Sequence, residues 1–126
     1  PMTTVNLSDM EWKLMNRLWD DAPATITVLT AYFKNDTAWS KHTIITMLSR
    51  LEAKGAVRHE EGEKAKLFYP AVNRDDVRRE QTKSFLSRLY NGSVGLMLNQ
   101  MADSRELTEE DIAQLRAILR KAEKHD

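Results

Sequence analysis

Cysteine is absent from the 126 residues, which removes disulfides, thiolate metal sites and cysteine nucleophiles at once and fits a reducing compartment. Long apolar runs are missing too. Stretches such as Gly95-Leu96-Met97-Leu98 are a few residues long, against the roughly 18 that signal a membrane span. No basic region followed by an apolar core stands near the start, so neither membrane insertion nor secretion is expected and the chain reads as cytoplasmic. An excess of one charge is also lacking: 19 Lys and Arg face 19 Asp and Glu, and residues 1–72 and 73–126 are each balanced. The three histidines, His42, His59 and His125, show no ligand spacing, so no metal is expected. Neither a nucleophile elbow nor a phosphate-binding glycine loop is present, and the chain is read as a non-enzyme without a cofactor.

What is present is helical punctuation. With 41% hydrophobic and 30% charged residues the chain should fold, and its 4 Gly and 3 Pro stand mostly where elements should end. Ser8-Asp9-Met10-Glu11 is a capping box, and Trp12, Met15, Leu18 and Trp19 follow it at helical spacing until Asp20-Asp21-Ala22-Pro23. Thr25 caps a short second helix with Ile26, Leu29, Tyr32 and Phe33 on its apolar side, and Asn35-Asp36-Thr37 breaks it. Ser40 opens a third helix in which Ile44, Met47, Leu48 and Leu51 share one face, and Gly55 ends it as a left-handed cap.

The period then changes. Val57 and His59 lead into Glu60-Glu61-Gly62-Glu63-Lys64, and Leu67 to Val72 follows, which reads as a hairpin around a polar loop. From the N-cap Asn73 onward the pattern is helical again, in three amphipathic segments, the last beginning at Thr108 with acidic residues leading and basic residues trailing. The expected fold is therefore mainly α with a small β-hairpin: a winged helix-turn-helix over 1–72 and a three-helix region over 73–126. Three short helices bury too little surface to stand alone. A second copy of the same segment is the simplest partner, so a homodimer is expected, with Phe85, Leu89, Met97, Leu98, Met101, Ile112, Leu115, Ile118 and Leu119 supplying the apolar contact; the alternative is that these helices fold back on the winged helix in a monomer.

Asp9 to Met15 followed by Leu18-Trp19 resembles the opening helix of the BlaI/MecI penicillinase-repressor family. Trp39-Ser40-Lys41-His42-Thr43-Ile44, with Leu48, Arg50-Leu51 and Lys54-Gly55, resembles its recognition helix, and Phe68-Tyr69-Pro70 the end of its wing. Asn91-Gly92-Ser93 through Asn99, then Leu107 to Leu119, resembles its dimerisation helices. The resemblance implies a homodimeric transcriptional repressor on a palindromic double-stranded operator, released when a sensor pathway leads a regulatory protease to cut the dimerisation region. Asn99 matches the asparagine before the scissile bond of that family, whereas Gln100 replaces the phenylalanine after it. Ile45 stands where the family often has arginine, at the edge of the buried face, where either a thymine methyl or the neighbouring helix would cover it.

Helical geometry marks the reading face independently. With Ile44, Met47, Leu48 and Leu51 turned inward, His42, Thr46, Ser49 and Ala53 point outward. His42, Thr43 and Thr46 are expected at base edges, since the N-terminal end of such a helix enters the major groove. Ser40 and Lys41 stand at the positive end of the helix dipole and Arg50 and Lys54 along its flank, all expected at phosphates. The wing carries Glu60, Glu61 and Glu63, whose carboxylates phosphates would repel, so it is expected to touch DNA through Lys64 and Lys66 alone or hardly at all. The segment from Ser40 to Arg58 has a local net charge of +3. A winged helix used only for protein contacts is the alternative reading.

Overall fold

The computed structural model describes residues 5–125, so the outermost positions of the two expected domains lie outside the described residues. The element order is α1 (Asp9–Asp20), α2 (Ile26–Phe33), α3 (Lys41–Ala53), β1 (Val57–Glu61), β2 (Lys66–Pro70), α4 (Arg74–Tyr90), α5 (Val94–Asp103) and α6 (Glu109–Glu123). Each expected helix forms, and its start is set by a side chain. The Ser8 hydroxyl accepts from the Glu11 amide while the Glu11 carboxylate accepts from the Ser8 amide, and Thr25 and Ser40 accept from the amides of Val28 and Thr43. These caps satisfy amides that have no partner inside the helix. Gly55 ends α3 at φ +83°, a conformation that a Cβ would strain.

The core of the first part is built from helical faces closing on one another. Leu14, Met15 and Leu18 of α1, Leu29 and Phe33 of α2, and Ile44, Leu48 and Leu51 of α3 are almost wholly removed from water. Burying each such side chain contributes about 1.5–3 kcal/mol, so this cluster is the main source of the domain's stability. The hairpin pairs antiparallel with His59 opposite Phe68, and Phe68 turns into the core. Ala24 adds an antiparallel bridge to Phe68 through hydrogen bonds in both directions (3.1 and 2.9 Å), which ties the α1–α2 connection to the wing. β2 stops at Pro70, leaving Ala71 and Val72 as connection.

Two compact units meet along the sequence between Gln81 and Thr82, later than the expected change after Val72. The reason is local. Val77 is buried, and Gln81 accepts from Trp12 Nε1 (2.5 Å) and donates to Asn6 Oδ1 and the Leu7 carbonyl. Arg74 also pairs with Asp20 at 2.6 Å and lies over the Trp19 ring. The first turns of α4 therefore belong to the winged part.

The second unit has another character. Neither α5 nor α6 buries a single residue. Met97, Leu98, Met101 and Leu115 are half-covered, while Phe85, Leu89, Ile112, Ile118 and Leu119 are exposed. Caps still define the helices: Ser93 accepts from Leu96, and Thr108 and Asp111 form a second capping box. Local signals thus fix these helices without providing an interior. Among the described residues no helix is long and apolar enough to cross a membrane.

Candidate nucleic-acid interface

The third helix is presented by the turn before it. Thr37 donates to the Phe33 carbonyl and accepts from the Trp39 amide, and Trp39 stacks against Phe33 with ring centroids 4.6 Å apart. These contacts hold the entry to α3, and its apolar stripe anchors the rest. The opposite side is free: Ser40, Lys41, His42, Ser49 and Arg50 are exposed, and Thr43 and Thr46 half-exposed. Ser40 keeps its cap, and its hydroxyl also lies 3.1 Å from Thr43 Oγ1. Thr43 is thus drawn toward the helix start, whereas Thr46 has no side-chain hydrogen bond among the described residues and remains an open donor and acceptor.

The cations separate into two groups. Lys41, Arg50, Lys64 and Lys66 are exposed and form no ion pair with other described residues. Lys54, expected with Arg50 on phosphates, has its ammonium engaged by groups of its own domain. It donates to Glu11 Oε1 at 2.6 Å and to the Asn6 carbonyl at 2.9 Å. The cause is Glu11, only 6% exposed, whose carboxylate requires a counter-charge at that depth. Lys54 thereby ties the end of α3 to the start of α1 and sets the pose of the helix.

Burial by itself would raise the Glu11 pKa. The Lys54 hydrogen bond and charge, with the Ser8 amide and hydroxyl, outweigh it and leave the carboxyl below its ordinary value. A carboxylate lowered in the folded state adds stability that is present above the unfolded pKa and disappears as pH falls through the folded one. Glu11→Gln should therefore cost about 1–3 kcal/mol at pH 7 and shrink the loss of stability on acidification. Urea unfolding at pH 7 and near pH 3 measures both; an unchanged pH dependence would show that another group carries it.

The wing is less repulsive than its composition implied. Glu60 pairs with Arg58 at 2.7 Å, and Arg58 lies over the Tyr69 ring. His59 Nδ1 stands 2.8 Å from Glu52, and its Nε2 3.4 Å from Glu61. Between α3 and the wing runs a cleft of about 590 Å³, with Ile26, Leu48 and Phe68 as its apolar lining and Ile45, His59 and Lys66 along it. Ile45 is 41% exposed, so it is only partly covered.

The exposed side of α3 thus brings His42, Thr46, Lys41 and Arg50 together with Lys66 beside it, whereas the Lys54 ammonium is paired with Glu11. The signal for Lys54 was an acidic residue in the first turn of a distant helix, which spacing within α3 cannot show.

Known proteins resemble this chain over most of its length. A family model described as penicillinase repressor matches residues 7–121. The methicillin resistance regulatory protein MecI of Staphylococcus aureus is 27% identical over 118 residues, covering 94% of this chain and 96% of that protein. A penicillinase repressor of Bacillus licheniformis is 30% identical over 113 residues, 90% of this chain and 88% of its own. The solution structure of the Bacillus licheniformis BlaI monomeric form in complex with the blaP half-operator is similar at a TM-score of 0.52 and 27% identity. It covers 58% of this chain and 89% of that one.

Proposed function

The chain belongs to the penicillinase repressor family, and on that premise we propose that it is a transcriptional repressor that binds a palindromic operator as a homodimer in the cytoplasm. It is a regulator, not an enzyme. The observation that carries the reading is the division of α3 into a fully buried apolar face and an exposed polar, basic one at its N-terminal end. The relative seen on its half-operator supports the same mode. His42 and Thr46 face base edges, with Thr43 at the margin. Ser40, Lys41 and Arg50 lie against phosphates, and Lys64 and Lys66 reach the backbone from the wing.

Selection of bound duplexes from random DNA tests the reading, because it reports sequence preference, symmetry and half-site spacing together. A palindrome is expected; recovery of unrelated sequences would refute it and favour a winged helix that meets only proteins. Thr46→Ala should then cost about 1–3 kcal/mol on the selected site and relax preference at one base pair. Equal loss on operator and random DNA would show that Thr46 reads no base.

The apolar, uncovered surfaces of Leu89, Ile118 and Leu119 support pairing through the second unit. Release by a regulatory protease at Asn99–Gln100 requires α5 to open first. That bond lies inside the helix, and the Tyr90 hydroxyl donates to Gln100 Oε1 at 2.7 Å.

A further inference from the structure

Resting on the operator-binding reading, we infer that Ile45 is a specificity determinant that recognises the C5-methyl group of a thymine in each half-site. Among the described residues it is the one large apolar side chain that α3 leaves exposed. Its position is costly by local rules, because a β-branched residue on an open helix face lowers helix propensity and is only partly buried. Sterics around the helix do not explain it, since Leu48 on the adjacent position is already sealed into the core.

Its surroundings select the occupant. His42 and Ser49 stand one turn before and after it on the outward side, Lys41 is a free cation one turn before it, and Lys66 lines the same cleft, whose one carboxylate, Glu52, is held by His59 Nδ1 at 2.8 Å. Cations around a single isoleucine suit a polyanion better than an apolar protein surface. In the major groove the only apolar group a base pair displays is the thymine methyl. The apolar lining of the cleft, Ile26, Leu48 and Phe68, continues behind Ile45, so a methyl held against it leaves water on that side as well.

The test replaces thymine by deoxyuridine, one position at a time in both half-sites, in the duplex selected from random DNA. This removes a methyl group and no hydrogen-bonding atom. With the wild-type chain, one thymine per half-site should show an affinity loss of about 4-fold for each methyl removed, the value of one buried methylene-sized group. Ile45→Ala should bind the thymine and deoxyuridine duplexes equally at that position while keeping its penalties elsewhere. Because the side chain lies outside the core cluster and alanine favours the helix, this variant should melt close to the wild type, which circular dichroism checks. Wild-type binding indifferent to every methyl, or Ile45→Ala retaining the whole wild-type pattern, overturns the inference and leaves the repressor reading intact. Absence of any preferred duplex overturns both.

Discussion

Leu115→Asp combined with Leu119→Asp is expected to leave the chain monomeric and to lower operator affinity about 10²- to 10⁴-fold. The second unit has helices but no interior: α5 and α6 bury nothing, and Leu119, Ile118 and Leu89 are 62%, 57% and 58% exposed. Covering each such side chain in a symmetric partner contributes about 1.5–3 kcal/mol, whereas an aspartate there must lose its water without a counter-charge. Affinity falls with the dimer because two half-sites held together bind as one event, and a lone subunit forfeits that effective concentration. The core of the winged part contains neither leucine, so its helical signal and its weak half-site binding should survive. Sedimentation velocity and titration of the operator read the two effects separately. A stable dimer after both substitutions would remove α6 from the interface.

Raising salt from 50 to 200 mM should weaken operator binding by about 10⁴-fold if the four free cations of each subunit meet phosphates. The count rests on Lys41, Arg50, Lys64 and Lys66, with Lys54 excluded because its ammonium is engaged by Glu11. Each neutralised phosphate releases condensed counterion, giving a log–log slope near −0.9 per contact and about −7 for a dimer of this kind. Without the wing, Lys41 and Arg50 alone would give a fall of only about 10²-fold. Lys64→Ala with Lys66→Ala should therefore flatten the slope by roughly 3 to 4 without changing which duplex is preferred. The pairing of Glu60 with Arg58 favours engagement, since it neutralises one of the wing's carboxylates internally. A slope untouched by the double substitution would place the wing off the DNA.

Helix boundaries were legible because caps are local. Ser8, Thr25, Ser40 and Thr108 each act on an amide three residues ahead, a distance that spacing alone reveals. The buried face of α3 was legible for the same reason, since Ile44, Met47, Leu48 and Leu51 repeat with the helical period. Gln81 was not: its partners Trp12, Asn6 and Leu7 come from the other end of the winged part. The bridge between Ala24 and Phe68 likewise joins two segments with no shared pattern.

Chain order and periodicity alone determined six helices, a hairpin after the third, the side of that helix facing outward, and a tail too thin to bury itself. Tertiary structure alone decided which outward groups remain free. Lys54 and Arg50 are equivalent by spacing, yet one is captured by a carboxylate 43 residues away and the other is not. Ile45 could have been covered by its neighbour and is only partly covered instead. Period and capping act over one helical turn, whereas a counter-charge or a covering surface exists only once distant segments have met.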